Sequence, residues 1–303
     1  MSGTDSSRLR RSRLAAIVTT FKPDGQFFAR FAETIAGCGR FIVVDNTPGG
    51  HRFGEGAARD TVVVIQDGQN KGLGKALNLG LEAARRAGFE AVVLFDQDSS
   101  PSADFLQAML KNLDAALSRG NPRICVGPQH VDDALVHPEP LDVAADRLPR
   151  LAPVSCLATS GMMFPVSHLQ SEELFSEEFF LDFVDFDWCW RLGRQGWEFY
   201  RALDVAMPHR LGISQRRFLG LTYHVPAPYR HYFQFRDTLR LAFRSHVPLY
   251  SKIRLAGLLP LKALVYPFVL DRGGERARWM LRGIVDALHG VAGIGAARTT
   301  LNH

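Results

Sequence analysis

The stretch LFDQDSSP, residues 94–101, closes an apolar run with two acids separated by a single glutamine. Asp96, Ser99 and Pro101 are common turn formers, so the pattern is typical of a turn at the end of a buried strand. Asp96 and Asp98 can alternatively converge on one divalent cation, because such an ion needs only one or two protein carboxylates when a phosphate supplies the other oxygens. Both interpretations place these residues at a strand end.

Apolar runs of the same kind recur through the first part of the chain, and they predict strands over residues 14–21, 41–46, 61–67, 91–98 and 123–129. Leu77, Leu81 and Ala84 have the spacing of a helix between the third and fourth strands. Continuous Val and Ile runs indicate strands buried on both faces, and hence a mostly parallel α/β sheet with helices on each side. Such sheets bind ligands at the carboxyl ends of their strands, which is where Asp96 and Asp98 lie.

The composition is that of an ordinary globular protein, with 46% hydrophobic and 22% charged residues among 303. The cysteines lie far apart with no CxxC pair, which argues against a zinc site or a disulfide framework and suits a reducing compartment. The basic start MSGTDSSRLRRSR is not followed by the apolar segment of a signal peptide, so we expect a cytoplasmic protein.

A glycine-rich segment, NKGLGKALNLG, occupies residues 70–80. It matches neither the dinucleotide-binding nor the P-loop spacing. Its glycines permit a tight strand-to-helix turn, and Lys71 and Lys75 near the start of the helix favour a bound phosphate. Two roles stay open for Lys75: it contacts a phosphate, or it lies on the helix surface without a ligand.

Six motifs follow one another in a definite order, namely VTTFKPDG, VVDNTPGG, QNKGLGKALNLGLEAA, LFDQDSSP, TSGMMFP and FFLDFVDFDWCWRLGRQGW. Together they resemble the family-2 inverting glycosyltransferases of GT-A fold, and the DQDS form resembles the bacterial rhamnosyltransferase branch. The resemblance covers residues 14–212. It implies a Rossmann-like, mostly parallel sheet with helices on both faces, followed by a C-terminal helical extension.

The resemblance implies roles for individual residues. Nucleotide-sugar binding falls to Thr19, Asp45, Asn70, Gly72, Asn78 and Asp96, and the acceptor side to Ser160 and Gly161. The metal-binding candidates are Asp98, Asp96 and, as a further contact, His209. The general base is Asp185, with Asp182 as the alternative. The implied cofactor is a divalent cation, Mg²⁺ or Mn²⁺.

The second acidic motif, LDFVDFDWCWR, contains three acids with different expected roles. Attack by a sugar hydroxyl requires a carboxylate to take its proton, the role expected of Asp185. Asp187 and Arg191 have the spacing of an i,i+4 ion pair, which favours a structural role for Asp187.

The reaction implied is transfer of L-rhamnose from dTDP-L-rhamnose to a hydroxyl of a bacterial cell-surface glycan, glycolipid or lipid-linked glycan. Another nucleotide-activated hexose is an alternative donor. A nucleotidyltransferase would carry a glycine-rich basic loop directly after its first strand, where this chain has TTFKPDG. A non-catalytic nucleotide-sugar-binding protein would have no need of Asp185.

The C-terminal part of the chain is basic, since residues 191–303 contain 18 Lys and Arg against 6 Asp and Glu. We expect a basic flexible tail over residues 1–13, a glycosyltransferase domain over 14–225 and a largely helical region over 226–303. No nucleic-acid-binding pattern is visible. Residues 255–271 are apolar but interrupted by two prolines and a lysine, so a transmembrane span is not expected.

The helix predicted near residue 235 places Tyr232, Phe235, Leu239 and Phe243 on one side, and Arg236, Arg240 and Arg244 on another. Two interpretations of the C-terminal region stay open: a peripheral contact with the inner face of the cytoplasmic membrane, or a helical cap on the main domain with its arginines in solvent.

Overall fold

The predicted strands lie side by side in one eight-stranded sheet. The structure, a computed structural model, describes residues 9, 11–132, 149–209, 215–218 and 221–301. The sheet contains β1 (Leu14–Thr20), β2 (Arg40–Asp45), β3 (Val62–Gln66), β4 (Ala91–Asp96), β5 (Ile124–Asp132), β6 (Leu151–Val154), β7 (Met163–Pro165) and β8 (Glu198–His209). A separate antiparallel hairpin is formed by β9 (Gln215–Phe218) and β10 (Leu221–His224).

The helices of the described residues are α1 (Phe27–Arg30), α2 (Ala32–Gly37), α3 (Leu73–Arg86), α4 (Phe105–Leu117), α5 (Val184–Gly193), α6 (Arg230–Ala242), α7 (Leu249–Val269), α8 (Gly273–Leu288) and α9 (Arg298–Leu301). The predicted helical spacing is confirmed in α3, where Leu77, Leu81 and Ala84 are all buried.

The strand order is β3-β2-β1-β4-β7-β5-β8-β6. Strands β1 to β4 run parallel to one another, β5 pairs parallel with β8, and β7 and β6 pair antiparallel with their neighbours. The prediction of a mostly parallel sheet is therefore confirmed. Because β1 to β4 are parallel, Thr20, Asp45, Gln66 and Asp96 end at the same edge of the sheet.

Each face of the sheet carries its own apolar core. Leu14, Ala16 and Val18 of β1 belong to one buried cluster, and Ala15 and Ile17 belong to the other. Successive side chains of a strand point to opposite faces. Both faces of β1 are covered, so the strand is apolar at every one of these positions.

The C-terminal region predicted to be largely helical consists of α6 to α9 over most of its described length. α6 packs against α8, and α7 packs against both. In the parts of the chain that the structure describes, no helix is both long and apolar enough to cross a bilayer.

One side of α6 departs from the prediction. Both interpretations of the C-terminal region leave Arg236 on an outward stripe, but it is fully buried, and it pairs with Asp237 at 2.7 Å. Its Nη1 also donates to the Gly293 carbonyl at 2.6 Å. The predicted apolar position Phe243 is instead 86% exposed. The segment around Gly293, more than fifty residues along the chain, covers the arginine, and helical periodicity cannot register such a distant cover.

The described end of the predicted N-terminal tail contacts α4. Leu9 N donates to Asp114 Oδ1 at 3.2 Å, and Arg11 donates to Gln107 at 2.8 Å. Residues 1–8 and 10 lie outside the described part of the chain.

Candidate active site

The acidic turn follows β4 at the carboxyl edge of the sheet. Asp96 is the last residue of β4, and its carbonyl accepts a hydrogen bond from Ser99 N at 3.1 Å. Asp96 is partly buried and Asp98 is exposed. Thr19 of β1 is the register partner of Asp96 and is also partly buried. The structure therefore places Thr19 and both acids at the edge where a ligand is expected.

Gln97, between the two acids, holds the loop that follows β1. Its Oε1 accepts from Phe21 N at 2.7 Å, and its carbonyl accepts from Arg30 Nη2 at 3.1 Å. Arg30 in turn pairs with Asp24 at 2.9 Å. Gln97 thus connects the turn to the loop of residues 21–30, a role that no local sequence pattern indicates.

Ser160 and Gly161 lie behind the acidic turn. Ser160 Oγ is 2.6 Å from Ser99 Oγ, and Ser160 is only 1% exposed. Gly161 has φ +81°, and a Cβ there would lie 2.7 Å from Pro128 Cγ. An acceptor contact by these residues stays a prediction; their position supports the turn from beneath.

Asp45 is buried at the end of β2 and is already well bonded. It accepts from Thr20 Oγ1 at 2.9 Å, from Thr47 Oγ1 at 2.7 Å and from His51 N at 3.0 Å. These bonds fix the loop after β2. Its predicted contact with the nucleotide is untested.

The glycine-rich loop packs against Phe180, immediately before the second acidic motif. Asn70 Oδ1 accepts from Gly72 N at 3.2 Å. Gly72 has φ +82°, and a Cβ there would lie 2.7 Å from Phe180 Cδ2. Leu73 N donates to the Phe180 carbonyl at 2.7 Å. Only glycine combines this backbone conformation with so close an approach, so Gly72 sets the distance between the loop and residue 180.

The first turns of α3 bind the segment that leads into the second acidic motif. Asn78 donates to the Phe175 carbonyl at 3.0 Å and accepts from Phe175 N at 2.9 Å. Lys75 Nζ pairs with Glu177 at 2.9 Å. The predicted nucleotide contact of Asn78 stays a prediction, and in this structure its amide positions residue 175.

Asp185 lies in the first turn of α5 and is partly buried. Burial raises the pKa of its carboxyl to about 7, and the nearby charges of Asp96 and Asp182 add to the effect, while a hydrogen bond from Phe186 N opposes it. That hydrogen bond measures 2.9 Å. The repulsion from the Asp96 charge indicates that the two acidic motifs lie near each other, as the residues of one reaction centre must.

Asp182, the alternative base, is ion-paired. Arg230 Nη2 of α6 lies 2.5 Å from Asp182 Oδ1. The carboxylate is therefore engaged with a guanidinium, and this arrangement favours Asp185 as the group that takes a proton. Arg230 is 48 residues from Asp182 in the chain, so no local sequence pattern could predict this ion pair.

Asp187 has the structural role expected of it. It is 2% exposed, and its Oδ2 lies 3.8 Å from Arg191 Nε, which confirms the predicted i,i+4 pair. A closer contact was missed: His246 Nε2 lies 2.8 Å from Asp187 Oδ1. His246 follows α6, so this contact ties α5 to the C-terminal region.

The predicted metal site has a limited set of donors. The described residues contain no cluster of three or more His, Cys, Asp and Glu that could hold a metal. The side chain of His209 lies outside the described residues. The turn offers two carboxylates, Asp96 and Asp98, and that number fits an ion such as Mg²⁺ that takes its other oxygens from phosphates and water.

Comparison with known proteins adds the family. Residues 40–121 match the profile described as Glycosyl transferase family 2. Over these residues the chain has the sequence of a family 2 glycosyltransferase domain. The predictions of this family and of a glycosyltransferase enzyme are thereby confirmed.

Two known proteins align with this glycosyltransferase over most of its length. The dTDP-rhamnosyl transferase RfbF of Shigella flexneri is 26% identical over 297 residues, which cover 93% of this chain and 97% of that protein. The crystal structure of S. aureus TarS 1-349 in complex with UDP-GlcNAc has a TM-score of 0.50 at 14% identity, covering 92% of this chain and 81% of that one. The second likeness confirms the GT-A fold.

The chain also aligns with the crystal structure of GalNAc-T7 with UDP, GalNAc and Mn²⁺, at 10% identity and a TM-score of 0.49. The alignment covers 95% of this chain and 59% of that one.

Proposed function

We propose that this glycosyltransferase moves L-rhamnose from dTDP-L-rhamnose to a hydroxyl of a bacterial cell-surface glycan or glycolipid, with inversion at the anomeric carbon. The observation that supports the reaction is a partly buried carboxyl, Asp185, whose pKa is raised mainly by burial and further by the charge of Asp96 at the carboxyl edge of the sheet. The donor is supported by the 26% identity to a dTDP-rhamnosyl transferase over nearly the full length of both chains.

The donor would lie across the ends of β1, β2 and β4. Thr19 and Asp45 border this edge, and Gly72 precedes the first turn of α3 there. The positive end of the helix dipole at the start of α3 would favour phosphate oxygens, although Leu73 N there already donates to the Phe180 carbonyl. Asp96 and Asp98 would hold Mg²⁺ or Mn²⁺, which when bound would neutralise charge on the diphosphate leaving group.

Asp185 would act as the general base. A group with a pKa of about 7 is substantially ionised at neutral pH and still basic enough to accept a proton as the acceptor hydroxyl attacks. Asp185 and Asp96 belong to different motifs. The acceptor hydroxyl would lie beside Asp185 and the donor diphosphate beside Asp96.

Donor choice is tested by thermal shift and by release of the nucleoside diphosphate. We expect dTDP-L-rhamnose with Mg²⁺ or Mn²⁺ to stabilise the protein more than UDP-glucose or GDP-mannose at equal concentration, because stabilisation follows affinity for the folded state. A clear preference for another donor would refute the assignment of rhamnose as the sugar, while glycosyltransferase activity would still stand. Donor binding with no transfer to extracted envelope glycans or glycolipids would favour a non-catalytic nucleotide-sugar-binding protein.

A further inference from the structure

The outward side of α7 is an apolar surface. We define the α7 face by five exposed side chains, namely Tyr250, Ile253, Leu261, Leu264 and Phe268. Successive members are separated by three, four or eight residues, so they lie along one side of the helix. Leu264 is 70% exposed and Phe268 is 88% exposed. Isolated exposed leucines are common, but a continuous stripe marks an interaction surface.

The other side of α7 is occupied by the protein itself. Leu259 is buried in a cluster with Phe235 of α6 and Met280 of α8, and Ala263 and Tyr266 pack against that cluster. The α7 face is therefore directed away from the domain, and its side chains are not needed for the internal packing of α6, α7 and α8.

Charge indicates what the α7 face contacts. Residues 249–269 contain three cations, Lys252, Arg254 and Lys262, and neither Asp nor Glu. Arg254 is exposed beside Ile253 on the α7 face itself. Just beyond the helix, exposed Arg272 is already paired with Glu275 at 2.6 Å and follows exposed Asp271, so the available positive charge is that of α7 itself. A helix with an apolar stripe and basic residues but no acid has the composition of a helix that lies in a lipid–water interface.

We propose that the α7 face docks the protein on an anionic lipid surface, with α7 parallel to the plane of the bilayer. Apolar side chains would enter the acyl boundary, and Arg254 with its basic neighbours would meet lipid headgroups. This inference does not depend on the identity of the sugar donor.

A second copy of the chain is the competing occupant, and charge disfavours it. A two-fold dimer through the α7 face would place the same surface on both sides. Because residues 249–269 include no acid, the cations of one copy would find none of opposite sign on the facing helix. An anionic bilayer complements the same charges.

The test uses the full chain and vesicle sedimentation at low salt. Vesicles that mix phosphatidylglycerol with phosphatidylcholine should bind the protein, and vesicles of phosphatidylcholine alone should bind it less. Leu264→Glu should reduce the partition coefficient by roughly tenfold or more. Arg254→Gln should reduce it by about fivefold.

Leu288→Glu is the matched control, because Leu288 of α8 is 78% exposed and the substitution makes the same change of charge outside the α7 face. It should bind nearly as wild type does. Melting curves should show that all three variants are folded.

Three results would overturn the proposal. They are equal indifference to neutral and anionic vesicles, an equal loss of binding in Leu288→Glu, and a wild-type dimer in sedimentation velocity that Leu264→Glu dissociates without any vesicle binding.

Discussion

Replacing Asp185 by Asn should make the enzyme slower and more stable. Asn keeps the size of the side chain but cannot accept the proton of the acceptor hydroxyl, so the turnover number should fall by roughly 10²–10⁴. The wild-type rate should rise between about pH 6 and pH 8 as the carboxyl ionises, because its pKa is raised to about 7. The rate of the variant should lack that rise.

The gain in stability follows from the same pKa. Burial raises the pKa of Asp185 from 3.8 to about 7, so in that window the folded state retains a proton that the unfolded chain has lost. The contribution of Asp185 to the free energy of unfolding therefore falls as pH rises from 3.8 to about 7. The full difference corresponds to ~4 kcal/mol, and partial exposure of the carboxylate reduces it to ~1–2 kcal/mol.

The assay combines turnover, donor affinity and melting temperature at pH 8, without metal or donor in the melting experiment. Asp185→Asn should melt about 2–4 °C above wild type and should bind the donor nearly as well. Asp182→Asn is the control, and it should melt below wild type because it removes the partner of Arg230. Normal turnover in Asp185→Asn with an inactive Asp182→Asn would make Asp182 the base. A lowered melting temperature for Asp185→Asn would refute the burial argument.

Three further outcomes are expected. Asp98→Ala should lose donor turnover with an unchanged melting curve, since the side chain is exposed; full wild-type activity in EDTA would contradict the metal role. Gly72→Ala should lower the free energy of unfolding by ~2–3 kcal/mol, as measured by urea denaturation, because its Cβ would lie 2.7 Å from Phe180 Cδ2 at φ +82°; a change within error would show that residue 180 yields easily. His246→Ala should lower the free energy of unfolding by ~1–3 kcal/mol, because the buried Asp187 would keep only its 3.8 Å contact with Arg191 among these two partners. Turnover at saturating donor should stay near wild type.

Local pattern was sufficient for the strands because their burial is complete. β1 is apolar at every position from Leu14 to Val18 since both of its faces are covered, and the predicted and observed strands β1 to β4 differ by only one or two residues at their ends. The same reasoning placed Asp96 at the carboxyl edge, because the end of a buried parallel strand is where polar residues begin.

Partners far apart in the chain could not be predicted in this way. His246 meets Asp187, and Arg230 meets Asp182, across gaps of 59 and 48 residues. Amphipathic spacing also placed Arg236 on an outward stripe of α6, although the segment around Gly293 covers it. Helical periodicity predicts which side of a helix is buried but does not identify the segment that packs against it. Each of these contacts depends on that segment.

The bonds of Gln97 have a practical consequence for changing the donor by exchanging segments between relatives. Phe21 N depends on Gln97 Oε1, and Arg30 depends on the carbonyl of the same residue. A transplanted turn with a short side chain at position 97 would leave Phe21 N without that acceptor and release the neighbouring loop. Residues 21–30 and 96–99 therefore form a single exchangeable cassette, and chimaeras should import both segments from the same parent.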